Sequence, residues 1–385
     1  MLRKPQYLLT LLAAFTLGSP TLVYANSPEQ VITSQAASFN LEEVATGLSN
    51  LWGMTFLPDG SMVITERAGK MRLVSEDGVV GEPIKGLPAI AVGGQGGLLD
   101  VVASPQFNSN RKIYFSYSEP SADGKTNSTA VSEAILVGNQ LVSVKTLFSQ
   151  KPKVNSAGHF GSRLVFADDG TLFITLGDRQ SEKDRAQTLD NHIGKVVRIK
   201  VDGSVPKDNP YVNQKGALPE IWSYGHRNIQ GAALHPKTRE LWTGEHGPQG
   251  GDEINITQAG KNYGWPVITY GENYGGGKIG EGTSKDGMEQ PLYKWVPSIA
   301  TAGFIFYTGD AFANWKDNIL MTSLKDKTLV RLTLENDQVV SEERLLGKEL
   351  NERLRHVVQG PDGFIYLLTD EYKARILRLR PVDQQ

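Results

Sequence analysis

A turn-plus-strand unit recurs six times along this chain, and it restricts the fold more than any other feature. Each copy is a turn rich in Pro, Asp, Asn or Gly, followed by a short, mainly apolar run of strand type. The turns at 57–60, 105–110, 167–170, 235–240, 315–318 and 361–363 precede strands at 61–65, 112–116, 171–175, 241–243, 319–322 and 364–368. A further strand, with an Arg in its alternation, follows at 71–74, 196–199, 329–332 and 376–379. Repeats of one small antiparallel unit at intervals of roughly 45–80 residues predict an all-β, six-bladed β-propeller. A two-sheet sandwich gives no reason for six copies of one unit. The uneven intervals predict insertions on one face, the largest between Gly260 and Pro297. Only 183–189 reads as a short helix.

The N-terminus is set apart from this pattern. Arg3 and Lys4, an apolar core from Tyr7 to Leu17 and the small-residue site Val23-Tyr24-Ala25 have the order of a secretory signal peptide. The apolar run is too short to span a bilayer, and no other stretch is long enough. The expectation is a signal peptide over 1–25, a flexible lead-in over 26–40 and a propeller over 41–381, in a periplasmic or secreted protein. Removing the two basic leader residues from 40 basic and 42 acidic leaves the mature chain acidic, which argues against nucleic-acid binding. The absence of cysteine excludes disulfides, thiolate catalysis and iron–sulfur ligation.

Between Trp222 and Pro266 lie three polar islands, 222–228, 245–255 and 260–266, where Arg, His, Glu, Asp and aromatic residues stand among glycines. Glycine lets the backbone approach a ligand closely or expose its carbonyls. The stretch reads as the floor of a site for an anion and a hard metal ion. The carbonyls of Gly247-Pro248 and the carboxylates of Asp252 and Glu253 form an oxygen-only donor set, which suits calcium, although the spacing is not that of an EF-hand. No zinc spacing, Walker loop, GxGxxG before a helix or GxSxG elbow occurs, so nicotinamide, nucleotide and serine-hydrolase chemistry find no support.

Other candidates lie outside that stretch. His159, in Gly158-His-Phe-Gly161, is read equally as a base working near neutral pH or as a structural His bonded to backbone. Gln95 stands in Gly93-Gly-Gln-Gly-Gly97, as a ligand contact or a plain glycine turn. Arg227-Asn228 joins a planar cation to an amide and can grip a carboxylate or quinone oxygen. Lys325 adds a cation, and the alternation in Arg353-Leu-Arg355 places two more on one face of a strand. Singly these are ordinary surface charges; together, in an acidic protein, they point to a ligand carrying several negative charges.

The motifs His159-Phe-Gly-Ser-Arg163, Glu220-Ile-Trp-Ser-Tyr-Gly-His-Arg-Asn228, Glu245-His-Gly-Pro-Gln-Gly-Gly-Asp-Glu-Ile-Asn255, Gly260-Lys-Asn-Tyr-Gly-Trp-Pro266, Ser323-Leu-Lys-Asp-Lys327 and Arg353-Leu-Arg355 carry a resemblance. From about Leu41 to Pro381 the chain resembles the soluble aldose sugar dehydrogenases that use pyrroloquinoline quinone (PQQ), relatives of soluble quinoprotein glucose dehydrogenase. The resemblance implies oxidation of aldoses at C1 to aldonolactones, with hydride passing to PQQ, calcium assisting, and electrons leaving to a non-nicotinamide acceptor that the sequence does not name, a cytochrome and a quinone being the candidates. By motif match it implies His159 as base, with Arg227 near the reactive quinone oxygen. It further implies Gln95, Asn228, Tyr274, Lys325, Arg353 and Arg355 as cofactor contacts. The carbonyls of Gly247 and Pro248 match calcium ligands, and Glu253 and Tyr263 match a calcium site of the closer relatives. His356 departs from the pattern, standing where an Asp often follows the Arg-x-Arg, and the loop around 274–277 is expected to shape sugar choice. The alternative is a calcium-dependent lactonase or hydrolase on a six-bladed propeller, which has no use for Lys325, Arg353 and Arg355.

Overall fold

The computed structural model describes Met1 and residues 31–382. The signal peptide expected over 1–25 and the first part of the lead-in lie outside the described residues. Six antiparallel sheets make the six blades of a propeller. Blade 1 runs through Leu51–Phe56, Met62–Glu66, Lys70–Val74 and Val80–Pro83, and blade 2 through Leu98–Ala103, Lys112–Pro120, Asn127–Val137 and Gln140–Ser149. Blade 3 has Leu164–Phe166, Thr171–Thr175, Lys195–Lys200 and Ile221–Tyr224; blade 4 has Ile229–Leu234, Leu241–Glu245, Asp252–Ile256 and Tyr293–Trp295. Blade 5 has Thr301–Phe306, Ile319–Ser323, Leu329–Glu335 and Gln338–Leu345. Blade 6 combines Leu354–Gln359, Ile365–Thr369 and Ala374–Pro381 with the N-terminal strands Ser38–Leu48 and Val31–Thr33.

This closure corrects the expected lead-in over its described part. Ser38–Leu48 is the fourth strand of blade 6, pairing Leu41 with Leu379 and Phe39 with Pro381, and Val31–Thr33 adds a fifth. Phe39 is fully buried against Trp315 and Phe312, and Glu42 accepts from Arg378 and Arg380. Polar composition around 34–40 suggested flexibility; one buried ring and a free sheet edge override it.

The repeat maps onto the blades directly. Every turn copy joins the first strand of a blade to its second, and second strands such as Met62–Glu66 and Ile365–Thr369 are buried along their whole length. Outer strands such as Gln338–Leu345 are largely exposed and mostly polar. Strands covered on both faces need continuous apolar runs, whereas an edge strand does not. The repeated Arg residues are cross-strand ties rather than site residues: Arg331 pairs with Glu343 at 2.8 Å and Arg378 with Glu42 at 2.6 Å. First strands crowd the axis, so that a Cβ on Gly231 would lie 2.4 Å from the Ala302 carbonyl and one on Gly303 2.1 Å from the His356 ring. The expected helix over 183–189 is a 3-10 helix, Lys183–Gln187.

Candidate functional site

All first strands run the same way from the axis, so the segments that enter them converge at one end of the channel. Gln95, His159, Arg227-Asn228 and Arg353 enter blades 2, 3, 4 and 6, while Lys325 follows the second strand of blade 5. A cavity of about 180 Å³ at this end is lined by His159, Asp178, Arg227, Pro248, Trp265 and Tyr274, among others. A second, of about 140 Å³, is lined by Arg67, Gln95, Gln230, His246, Arg353 and Arg355 with apolar neighbours. A third, of about 20 Å³, lies against Arg227, Glu245, Gly247, Glu253 and Tyr263. A surface groove of about 590 Å³ beside 36–38 and 310–314 contains none of the expected site residues.

His159 is 6% exposed and sits at φ +48°, a left-handed conformation that turns its ring into the first cavity. Its Nδ1 lies 2.6 Å from Asp178 Oδ1, and the other Asp178 oxygen accepts from Trp265 Nε1 at 2.7 Å. An ionised carboxylate only accepts, so Nδ1 carries the proton and Nε2 keeps its lone pair. Burial pushes the His159 pKa below its ordinary value, and the Asp178 interaction opposes that without overcoming it. The ring is therefore neutral near pH 7, as a base must be. The loop is pinned from below by Arg179, whose guanidinium lies 3.7 Å from the Phe160 ring centre and donates to the Gly158 carbonyl. Gln95 reaches the same loop, its Oε1 accepting the His159 N–H at 2.8 Å.

Arg227 spans two cavities. Its N–H donates to Glu245 Oε2 at 2.6 Å, and its Nη1 donates to the carbonyls of His246 at 3.0 Å and Gly247 at 2.6 Å. The guanidinium packs over Trp265, 5.3 Å from the ring centre, and its buried Nε has no partner. Asn228 Oδ1 accepts from Gly161, which leaves the buried Nδ2 as an unpaired donor. Unpaired buried donors are costly, and they mark where a ligand oxygen would be welcome.

The expected metal ligands divide. Gly247, Glu253 and Tyr263 face the 20 Å³ cavity, whereas Pro248 lines the cavity of His159. The Tyr263 hydroxyl is already taken, donating to Ile256 O at 2.5 Å and accepting from Gln258 N, so only its carbonyl is available to a cation. Burial first, and then the neighbouring Glu245, push the Glu253 pKa upward. Asn255 Nδ2 bridges the two carboxylates and leaves its buried Oδ1 unpaired. Two carboxylates beside an ion-sized space, with the Gly247 backbone lining it too, suit an oxygen-seeking cation. Asp252, expected as a donor to that cation, is a correction: it accepts from Gly247, Ile299, Ala300 and Thr301 N–H groups and the Ser298 hydroxyl. It ties the Gly247 turn to blade 5 instead. Among the described residues, no group of three or more His, Asp or Glu is placed to hold an ion, so carbonyls and amides would have to complete the shell.

Arg353 and Arg355 line one cavity, as their alternation requires, and Asp370 lies against both. Lys325 is exposed and donates to Ser298 O at 2.8 Å without lining either cavity, and Tyr274 is 73% exposed at the rim. His356 is half-buried, its ring close against Gly303, and desolvation together with Arg163 and Arg355 holds it neutral. Sequence reasoning missed Asp178, Trp265, Glu245 and Asp370. Trp265 and Glu245 stand inside quoted motifs without a role, and Asp178 and Asp370 follow second strands, a position that marks the site end.

The chain is similar to known proteins over most of its length. The sequence profile of the family described as Glucose / Sorbosone dehydrogenase matches residues 48–378. The aldose sugar dehydrogenase YliI of Escherichia coli is 43% identical over 350 residues, covering 90% of this chain and 94% of the relative. The crystal structure of the soluble aldose sugar dehydrogenase from E. coli in its apo-form superposes with a TM-score of 0.86 at 42% identity, covering 89% of this chain and 100% of that one. The PQQ-bound form of aldose sugar dehydrogenase from Streptomyces coelicolor gives 0.74 at 26% identity, covering 90% and 99%.

Proposed function

This chain belongs to the glucose/sorbosone dehydrogenase family, and from that premise we propose that it is a PQQ-dependent, calcium-assisted aldose sugar dehydrogenase. The observation that carries the reading is the neutral, oriented His159 sharing one cavity with Arg227, beside a second cavity rich in guanidinium groups. The residues present fit the cofactor: Asn228 Nδ2 and Arg227 Nε are unpaired donors, and Arg353 and Arg355 suit carboxylates. Gln95, Tyr274 and Lys325 complete the proposed cofactor contacts. Gly247, Pro248, Glu253 and Tyr263 are the proposed calcium ligands, to which Glu245 is added here. When bound, the quinone accepts the hydride from the sugar, and the cation draws charge toward the quinone carbonyl.

The protein's own part is positional and electrostatic. His159 Nε2 takes the proton from the anomeric hydroxyl while Asp178, accepting from Nδ1, stabilises the imidazolium that forms. Arg227 brings positive charge to the side where negative charge develops. Trp265 fixes both, donating to Asp178 and supporting the guanidinium. The product would be an aldonolactone, with a non-nicotinamide acceptor, a cytochrome or a quinone being the candidates, needed to take up the electrons. The leader 1–25 would export the protein to the periplasm or beyond; among the described residues no helix is long and apolar enough to cross a membrane.

A lactonase built around one metal is less well supported, because the axis carries Arg163, His246 and His356 rather than a cage of carboxylates. Dye-linked aldose oxidation by purified apoprotein, with and without PQQ and calcium, tests the proposal. Activity should require both, and failure of the protein to bind PQQ would end this reading in favour of lactone hydrolysis. In calorimetry, calcium should raise Tm of the wild type, and Glu253→Gln should lose most of that rise by removing one charged ligand.

A further inference from the structure

The guanidinium cavity contains one more cation than the motifs assign. Arg67 follows the second strand of blade 1 and lines the same 140 Å³ space as Arg353 and Arg355. Its side chain is 26% exposed; Nη1 donates to the Gly94 carbonyl and Nη2 stands 3.9 Å from Asp370. Arg353 approaches the same carboxylate at 3.7 Å, and Arg355 pairs with it directly. Three guanidinium groups from two neighbouring blades thus share one buried carboxylate, which also accepts from Asn50 at 3.1 Å. The nearby Glu371 is turned to the backbone N–H of Arg353. Although burial works against ionisation, Arg355 foremost, with Asn50 and Arg67, holds the Asp370 pKa down to about 2. Among the other polar groups lining the space, Gln95 and Gln230 are amides that bring no charge.

Asp370 cancels one positive charge and leaves the cavity with an excess. It also sets the three forks in a fixed array, which a ligand with several carboxylates can match. The buried Arg355 Nε has no partner, so the array has unused donors. We propose that Arg67 is a direct ligand-binding residue, a third anchor beside Arg353 and Arg355 for the carboxylates of the bound cofactor. The inference rests on the functional reading above, in that it takes PQQ as the anion.

The test is equilibrium binding of PQQ to the calcium-loaded apoprotein, followed by tryptophan fluorescence, for wild type, Arg67→Gln and Arg67→Lys. Glutamine can still donate to the Gly94 carbonyl but carries no charge, so it separates ligand binding from loop support. Loss of a charge-assisted contact should raise Kd by roughly ten- to a hundred-fold in Arg67→Gln, with partial recovery in Arg67→Lys. The dependence of Kd on salt should be shallower in Arg67→Gln than in wild type, which a purely structural role would not produce. Wild-type affinity and salt dependence in Arg67→Gln overturn the assignment of Arg67 alone. A wild-type protein that binds no PQQ overturns the functional reading and this assignment together.

Discussion

Replacing His159 with alanine is expected to lower kcat for aldose oxidation by about 10²–10⁴, the usual contribution of a general base, with PQQ affinity much less affected. Steady-state kinetics at saturating cofactor, alongside direct binding, separate the two. The pH profile gives an independent check. Burial, followed by the partly opposing Asp178 interaction, sets the His159 pKa below its ordinary 6.5. The base form therefore dominates at neutral pH, and kcat/KM should fall only on the acid side of that value. Asp178 raises the His159 pKa, so Asp178→Asn should move the acid limb to still lower pH. It should also reduce kcat, because an amide can present the wrong group to Nδ1 and no longer stabilises the imidazolium. An unmoved acid limb in Asp178→Asn would contradict the assignment of His159 as base.

The largest effect on stability should come from Asp100→Ala. Asp100, on the first strand of blade 2, lies 2.8 Å from Arg163 and also accepts the Leu164 N–H at 2.9 Å at the start of blade 3. Both side chains are almost wholly buried, 2% and 3% exposed. Removing the carboxylate strands the Arg163 charge in a low-dielectric interior beside Arg355, at a cost of about 3–5 kcal/mol. Chemical denaturation would measure it. The double variant Asp100→Ala, Arg163→Met should recover part of the loss, because it removes the uncompensated charge. A loss below about 1 kcal/mol in Asp100→Ala would mean that water reaches the pair and that the inner ring is less dry than its burial implies.

Much of the architecture was legible before any coordinates. The turn at 57–60 and its five counterparts are local chemistry: Pro, Asp and Gly set the backbone angles, and the apolar run behind each, too short for a helix and bounded by turns, fits a strand. Six such units have no compact arrangement other than blades around an axis. The closing strand Ser38–Leu48, whose first three residues fell in the expected lead-in, was not legible because its role comes from pairing with Ala374–Pro381, more than 300 positions away.

The site divides along the same line. Motifs identified residues with conspicuous chemistry in glycine-rich company, such as His159, Arg227 and Arg353-Leu-Arg355. They could not identify Asp178 or Asp370, which look like ordinary turn carboxylates until His159 and three arginines are brought against them. They could not foresee that five donors from Gly247 and blade 5 take up Asp252 and leave Glu253 facing Glu245. By itself, then, the sequence determined the blades, the segments that share one end of the channel and the kinds of groups they carry. The tertiary structure decided which charges are compensated and which nitrogen of His159 is free. A backbone turn depends on adjacent residues, whereas a buried charge is defined by neighbours that only the closed ring of blades brings within 4 Å.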